Sequence, residues 1–194
     1  MTERLEAQIA FLSEADKLKS VLRASRLHDG SRFENSAEHS WHVMLYAYVL
    51  ADQADPAVQI DRVLKMLLLH DIVEIDAGDN PIHGVVDKAA QDAQEQAAAD
   101  RLFGLLPDDQ RASFRALWEE FEAAQTPDAI FAKSIDRLQV PVGNLANGGG
   151  SWRDYNVTLA QLEARVGTPI RRGAPGLWDW ILPRLKGFFA KSPS

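Results

Sequence analysis

DRVLKMLLLHDIVEIDAG, residues 61–78, reads as one largely buried helix that Asp61 caps and Gly78 ends. Val63, Leu64, Met66, Leu67 and Leu68 spread apolar side chains around it, the pattern of a core element rather than a surface one. Yet the same helix carries His70, Asp71 and Glu74. At about 100° per residue these lie at roughly 0°, 100° and 40°, so they share one sector. A charge-capable group on an apolar helix is costly to desolvate unless something pairs with it.

Working outward, nearly every periodic segment predicts helix. Leu5, Ile9 and Leu12 recur at helical spacing, and Leu18, Val21 and Leu22 continue that face. HDGSRFEN, residues 28–35, reads as a polar turn around Asp-Gly. Ser36 is then placed to cap an apolar helix that runs to about Ala54, where Asp55-Pro56 breaks it. Further helices are expected from Asp87 to about Leu105, from Pro107 through Leu117, Trp118 and Phe121, and from Pro127 through Ile130, Phe131, Ile135, Leu138 and Gln139. The run from Asn147 to Ser151 is the clearest break, and it reads as a flexible connection because it lacks the Gly-Lys-Ser/Thr ending of a phosphate loop. Val157–Val166 and Leu177–Phe189 look like two more helices. No alternating strand stands out. The expected fold class is all-α: a helical domain over residues 1–146, with residues 147–194 as C-terminal helices packed on it.

Composition narrows the function. The chain has 194 residues, 46% of them hydrophobic, and a net charge of −7, which argues against nonspecific binding to nucleic acid or an anionic membrane. There are no cysteines, hence neither disulfide nor thiolate metal site. MTERLEAQIAFL lacks the apolar core of a signal peptide, and no stretch approaches the length of a membrane helix. A soluble, cytoplasmic protein is the expectation.

His39 and Asp136 lie in two other apolar helical segments. Together with His70 and Asp71 they supply two imidazoles and two carboxylates, which suits Mn²⁺, Fe²⁺, Co²⁺, Ni²⁺ or Zn²⁺ better than the all-oxygen preferences of Mg²⁺ or Ca²⁺. A divalent metal lowers the pKa of water that it holds and polarises a substrate oxygen. Glu74, beside these groups, suits general acid/base work. Arg23, Arg26 and Arg32 form a basic cluster just ahead of His39, and guanidinium forks suit phosphate oxygens.

The ordered set His39…His70-Asp71…Asp136 resembles the H…HD…D signature of the HD-domain phosphohydrolase superfamily. ENSAEHSWHV around His39 and HDIVEIDAGDNP over residues 70–81 are similar to its 5′-deoxynucleotidase (HD-domain-containing protein 2) subfamily. The resemblance implies an HD-domain helical bundle and one divalent metal, drawn from Mn²⁺, Co²⁺, Fe²⁺, Ni²⁺, Zn²⁺ or Mg²⁺, on His39, His70, Asp71 and Asp136. It implies catalytic carboxylates at Glu74 and Asp79, and substrate contacts at Arg23, Asp79, Asn80, Pro81 and Ile82. The tryptophan that the subfamily carries at or shortly after the arginine is replaced here, by Ala24 or Arg26. The implied activity is removal of the 5′-phosphate from (deoxy)nucleoside monophosphates. Two rivals differ from it: hydrolysis of another phosphate ester such as ppGpp, against which Ile75 stands where those enzymes have an acidic residue, and a non-catalytic nucleotide- or partner-binding module.

The remaining polar residues have plainer readings. His42 reads as support for the core or for the ligands, and His28 and His83 as solvated turn residues, His83 being near the site. Glu34 and Glu38 read as partners of a helix N-terminus. Trp118, Phe121, Trp178 and Trp180 read as core or interface. Closure of the site and formation of a homodimer are the two roles open to the segment after Gly150.

Overall fold

The computed structural model describes residues 2–84 and 87–191. Helix α1 (Thr2–Ala15) runs into a tight 3-10 turn over Asp16–Ser20. There the chain leaves the helix that the spacing of Leu18, Val21 and Leu22 predicts. Strand β1 (Leu22–Arg26) follows, paired antiparallel with β2 (Phe33–Asn35), so the turn at residues 28–35 is the tip and return of a hairpin. Strand alternation decides what this does: Arg23 and Ser25 turn inward, while Leu22 is left 64% exposed and Arg26 stacks on Phe33 at 4.2 Å.

Helix α2 (Ser36–Val49) starts one residue after its cap, which is Asn35 rather than Ser36. The Asn35 side chain accepts from the Glu38 backbone N–H at 3.0 Å and Glu38 returns the bond to Asn35 N at 3.2 Å, a reciprocal capping box. The helix is not buried all round. His39, Ser40, Val43 and Ala47 face inward, whereas Trp41, Tyr48 and Val49 are more than half exposed.

Helix α3 (Ile60–Leu69) follows Gln59, not an Asp61 cap, and it stops at Leu69. Residues 70–73 tighten into turns with Ile72 N–H bonded to Leu69 O and Glu74 N–H to Asp71 O, before the short α4 (Glu74–Ala77). At the roughly 120° per residue of such a turn, residues three apart eclipse. Asp71 and Glu74 therefore stand one above the other, closer than the ideal-helix angles predict. Gly78, at φ 75°, ends the element in a conformation that side chains resist, and the chain swings back so that Asp79 faces the site.

Helices α5 (Lys88–Phe103, capped by Asp87) and α6 (Asp108–Ala123) lead to α7 (Pro127–Ala146), the axis of the fold. Thr126 caps α7 and Pro127 takes a first-turn position where no donor is needed. α2, α3 and α6 pack against α7 from one side. Val43, Val63, Met66, Leu67, Phe131, Ile135 and Leu138 lock that contact, and Leu102, Phe103, Trp118 and Phe121 extend the core outward.

The glycine run is a packed turn. Gly149 N–H bonds Asn144 O at 2.7 Å, the Asn144 amide donates to Ser151 at 3.0 Å, and Gly149 sits against Phe188 and Arg153. Beyond it α8 (Ser151–Asp154), α9 (Leu159–Leu162), α10 (Thr168–Gly173) and α11 (Pro175–Lys191) return to α7, with a π turn at Glu163–Gly167 interrupting the helix expected over 157–166. The fold is helical with one small hairpin, and among the described residues no helix is long and apolar enough to cross a membrane.

Candidate metal centre

α2, the end of α3 and α7 bring His39, His70 and Asp136 together, each buried, with ligand atoms within 4.8 Å of one another. His39 Nε2 is 3.0 Å from Asp136 Oδ1, and His70 Nε2 lies 3.7 Å from the same oxygen. Asp71 stands beside this trio: Oδ1 is 3.0 Å from His70 Nε2, and Oδ2 accepts from Arg23 at 3.1 Å.

The other ring nitrogens are held so that Nε2 stays available. His70 Nδ1 donates to Leu67 O at 2.8 Å, and His39 Nδ1 donates to Gln139 Oε1 at 3.2 Å. Gln139 in turn donates to Glu34 Oε1 at 2.9 Å and to His42 Nδ1 at 3.2 Å. His42 thus reaches His39 through Gln139. Glu34 does not serve the helix terminus. It is buried at 3% exposure, accepts from Ser25 at 3.1 Å and lies 3.5 Å from His39 Nδ1.

Of the buried side-chain atoms without a hydrogen-bond partner among the described residues, two lie in this cluster: His70 Nε2, whose nearby Asp71 oxygen is not in hydrogen-bonding geometry, and Arg23 Nε. A buried imidazole nitrogen without a partner, converging with two further ligand atoms, fits a divalent cation once its proton is displaced, and a buried guanidinium N–H without an acceptor fits an anion. The residues present therefore suit a metal beside a phosphate.

Arg23 is the hub of the negative charge. Its Nη1 is 3.1 Å from Asp71, 3.3 Å from Asp79 and 3.6 Å from Glu74, and its Nε is 3.9 Å from Glu34. The Asp79 carboxylate also accepts from Ala24 N–H at 3.3 Å, fastening the loop after Gly78 to β1. Ser36 donates to Glu74 Oε2 at 2.5 Å and fixes that carboxyl's orientation. The rest of the basic cluster disperses: Arg26 lies over Phe33, and Arg32 forms a fork with Glu38 at 2.7 and 2.8 Å. Alternation along β1 and the turn of the hairpin carry them away from Arg23.

Electrostatics divides the carboxylates. Burial, reinforced by Asp71, pushes Glu74 up to about 8 against the pull of Arg23. Burial likewise raises Asp79. Asp71 is held below the usual carboxylate range despite burial, by His70 and Arg23, and Asp136 despite burial, by Arg137 and the two imidazoles. Despite desolvation, Asp71 and Asp136 raise metal-free His70 to about 10, so a cation entering this site displaces a proton.

Asn80, Pro81 and Ile82 line the cavities that open from Arg23, Asp79 and Asp136. His83, expected in solvent, is half-buried beside them, with Nδ1 buried and without a partner among the described residues. Trp118, Phe121 and Trp178 are core, while Trp180 is 46% exposed.

Sequence reasoning missed Ser25, Glu34, Ser36 and Gln139 as supports of the site. The Asn35…Glu38 capping pattern was the available signal, since it starts α2 at Ser36 and leaves Glu34 on the strand leading into the site.

The chain is similar to known proteins. A sequence model of the HD domain matches residues 15–178. The 5′-deoxynucleotidase HDDC2 of Danio rerio is 28% identical over 137 residues, 70% of this chain and 67% of that protein. The Homo sapiens 5′-deoxynucleotidase HDDC2 is 28% identical over 133 residues, covering 68% and 64% respectively. The chain thus spans about two thirds of the length of the curated relatives it matches. A crystal structure of a predicted metal-dependent phosphohydrolase from Magnetospirillum magnetotacticum superposes with a TM-score of 0.92 at 46% identity, over 97% of each chain. With its family model spanning most of its length and this ligand set at its centre, the chain belongs to the HD-domain family.

Proposed function

We propose that this protein is a divalent-metal-dependent phosphohydrolase that removes the 5′-phosphate from (deoxy)nucleoside monophosphates. The observation that carries the reading is the pair of buried atoms without a partner among the described residues, His70 Nε2 and Arg23 Nε, on two residues that both contact Asp71 and line one cleft. His39, His70, Asp71 and Asp136 would hold the metal. When bound, it would supply Lewis-acid polarisation of the phosphoryl group and a more acidic water. The names of the curated relatives and of the structural neighbour point to the same chemistry.

The chain's own residues have separable tasks in this reading. Arg23 binds a phosphate oxygen and offsets charge that develops on the phosphoryl group. Glu74, held by Ser36 through Oε2, has Oε1 turned toward Arg23, placed to pass a proton between water and the leaving ester oxygen. Asp79 helps to orient Arg23 through the same Nη1 and fastens the loop after Gly78 beside it. In this reading all these groups belong to a domain over residues 1–146, and the described residues after it, 147–191, would serve as its cover.

The test is phosphate release from a panel of ribo- and deoxyribonucleoside 5′-monophosphates with Mn²⁺, Co²⁺, Zn²⁺ or Mg²⁺. Turnover that a chelator abolishes and a metal restores is expected. Turnover indifferent to chelation, or none on any phosphomonoester, would overturn the reading.

A further inference from the structure

Two cavities meet at Arg23, Asp79 and Asp136 and differ in chemistry. One contains His70, Asp71 and Glu74 and continues along a charged wall where Asp92, Glu95 and Glu122 alternate with Lys88 and Lys133. The other leads beneath the segment after the glycine turn, where Val140, Pro141, Trp152, Tyr155, Leu162 and Val166 form its wall. The chamber is a narrow slot of about 80 Å³ that opens to solvent at its mouth.

The wall is built rather than incidental. Trp152, Leu162 and Val166 are buried, and Trp152 is backed by Phe188 and Phe189 at 5.4 and 5.3 Å. Arg165, on the same segment, donates to Ile82 O at 2.8 Å and so ties the wall to the loop after Gly78. His83 also lines the chamber, and its buried Nδ1 has no hydrogen-bond partner among the described residues.

We propose that this chamber receives the planar aromatic base of the substrate, which makes the segment of residues 151–166, with His83, the element that selects the substrate. The proposal rests on the phosphohydrolase reading for the phosphate end. With phosphate at Arg23, the organic part of the ester must lie in one of the two cavities. A neutral heterocycle laid along the Lys88–Asp92 and Lys133–Glu122 ion pairs and Glu95 would desolvate charged groups without offering them a charge in return. The chamber instead offers apolar and aromatic faces and one unsatisfied ring nitrogen for a base edge. Burial, with Arg165 and Arg137 nearby, pushes His83 down to about 4, so its imidazole is neutral and able to donate or accept.

The experiment separates base binding from turnover. The full chain is titrated with deoxyadenosine, deoxycytidine, deoxyribose and inorganic phosphate by calorimetry, with saturation-transfer NMR reporting which ligand protons touch protein. Nucleosides should bind through their base protons, and deoxyribose should bind far more weakly. Val140→Phe, which fills the chamber from α7, should weaken nucleoside binding about tenfold or more while phosphate affinity moves less than about twofold. Tyr155→Ala, at the 40% exposed mouth, is the second variant should Val140→Phe melt early, and it should weaken nucleosides in the same direction. Nucleoside affinity unchanged in both variants, or no nucleoside binding to the wild type, overturns the proposal. Absence of phosphate release would sink the phosphohydrolase reading alone, because the nucleoside titration reports on the chamber without turnover.

Discussion

Arg23→Ala removes the guanidinium around which Asp71, Asp79, Glu74 and Glu34 are arranged at 3.1, 3.3, 3.6 and 3.9 Å. Deleting one partner of a buried ion pair costs about 3–5 kcal/mol, because the remaining charge stays desolvated. In a chain of this size each kcal/mol moves Tm by about 2–4 °C, so metal-free Arg23→Ala should melt roughly 6–20 °C below metal-free wild type. Two further outcomes belong to the same cause. Added Mn²⁺ should narrow the gap, since a cation replaces part of the lost positive charge. Lower pH should narrow it too, because protonated carboxylates no longer need a counter-ion. In phosphate-release assays turnover should fall about 10²–10³-fold by a similar factor for every base, as for a lost transition-state donor. Arg23→Lys should recover only part, keeping charge without the fork. A metal-free variant melting within about 2 °C of wild type, against that expected span, would show that Arg23 is not the counter-ion of this cluster. Losses that depend on the base would place it at the wrong end of the substrate.

Glu74→Ala should keep metal content and Tm near wild type while kcat falls about 10²-fold or more; full turnover would remove Glu74 from the chemistry. Gly149→Ala places a Cβ 2.9 Å from the Phe188 ring at φ 117°, and should cost about 1–3 kcal/mol in urea denaturation, whereas a neutral result would mean that the turn is loosely packed. His83 is pressed below its unfolded value, so the unfolded chain binds its proton first and stability falls as pH drops from about 6.5 toward about 4. His83→Asn should lose at most about 1.4 kcal/mol per pH unit of that slope, and identical slopes for the two proteins would contradict the assigned burial.

What was legible in the chain was chemistry set against an apolar background. His39, His70, Asp71 and Asp136 stand out because such groups are rare in buried helices, Glu74 follows from its place on the same helix sector, and Asp79 follows only from the family resemblance. What was hidden depends on backbone geometry that periodicity does not encode. Leu18, Val21 and Leu22 mimic a helical face, although the chain passes through a 3-10 turn into β1. That change from period 3.6 to period 2 buries Arg23 and Ser25 and turns Arg26 away, so three arginines that look like one cluster serve three different partners. Glu34 sits in a polar run, and only strand pairing turns it inward to Gln139. The glycine run reads as loose from composition, but its positive φ values and close contacts make it a fixed corner.

The central claim is that His39, His70 and Asp136, with Asp71 beside them, hold a catalytic metal. An anomalous-difference map from a crystal grown with Mn²⁺ tests it most directly. The account predicts a peak on the Nε2 atoms of His39 and His70 and on the carboxylates of Asp136 and Asp71, at roughly 2.0–2.3 Å. A peak along Asp92, Glu95 and Glu122 instead, with His70 Nε2 left bare, would contradict it.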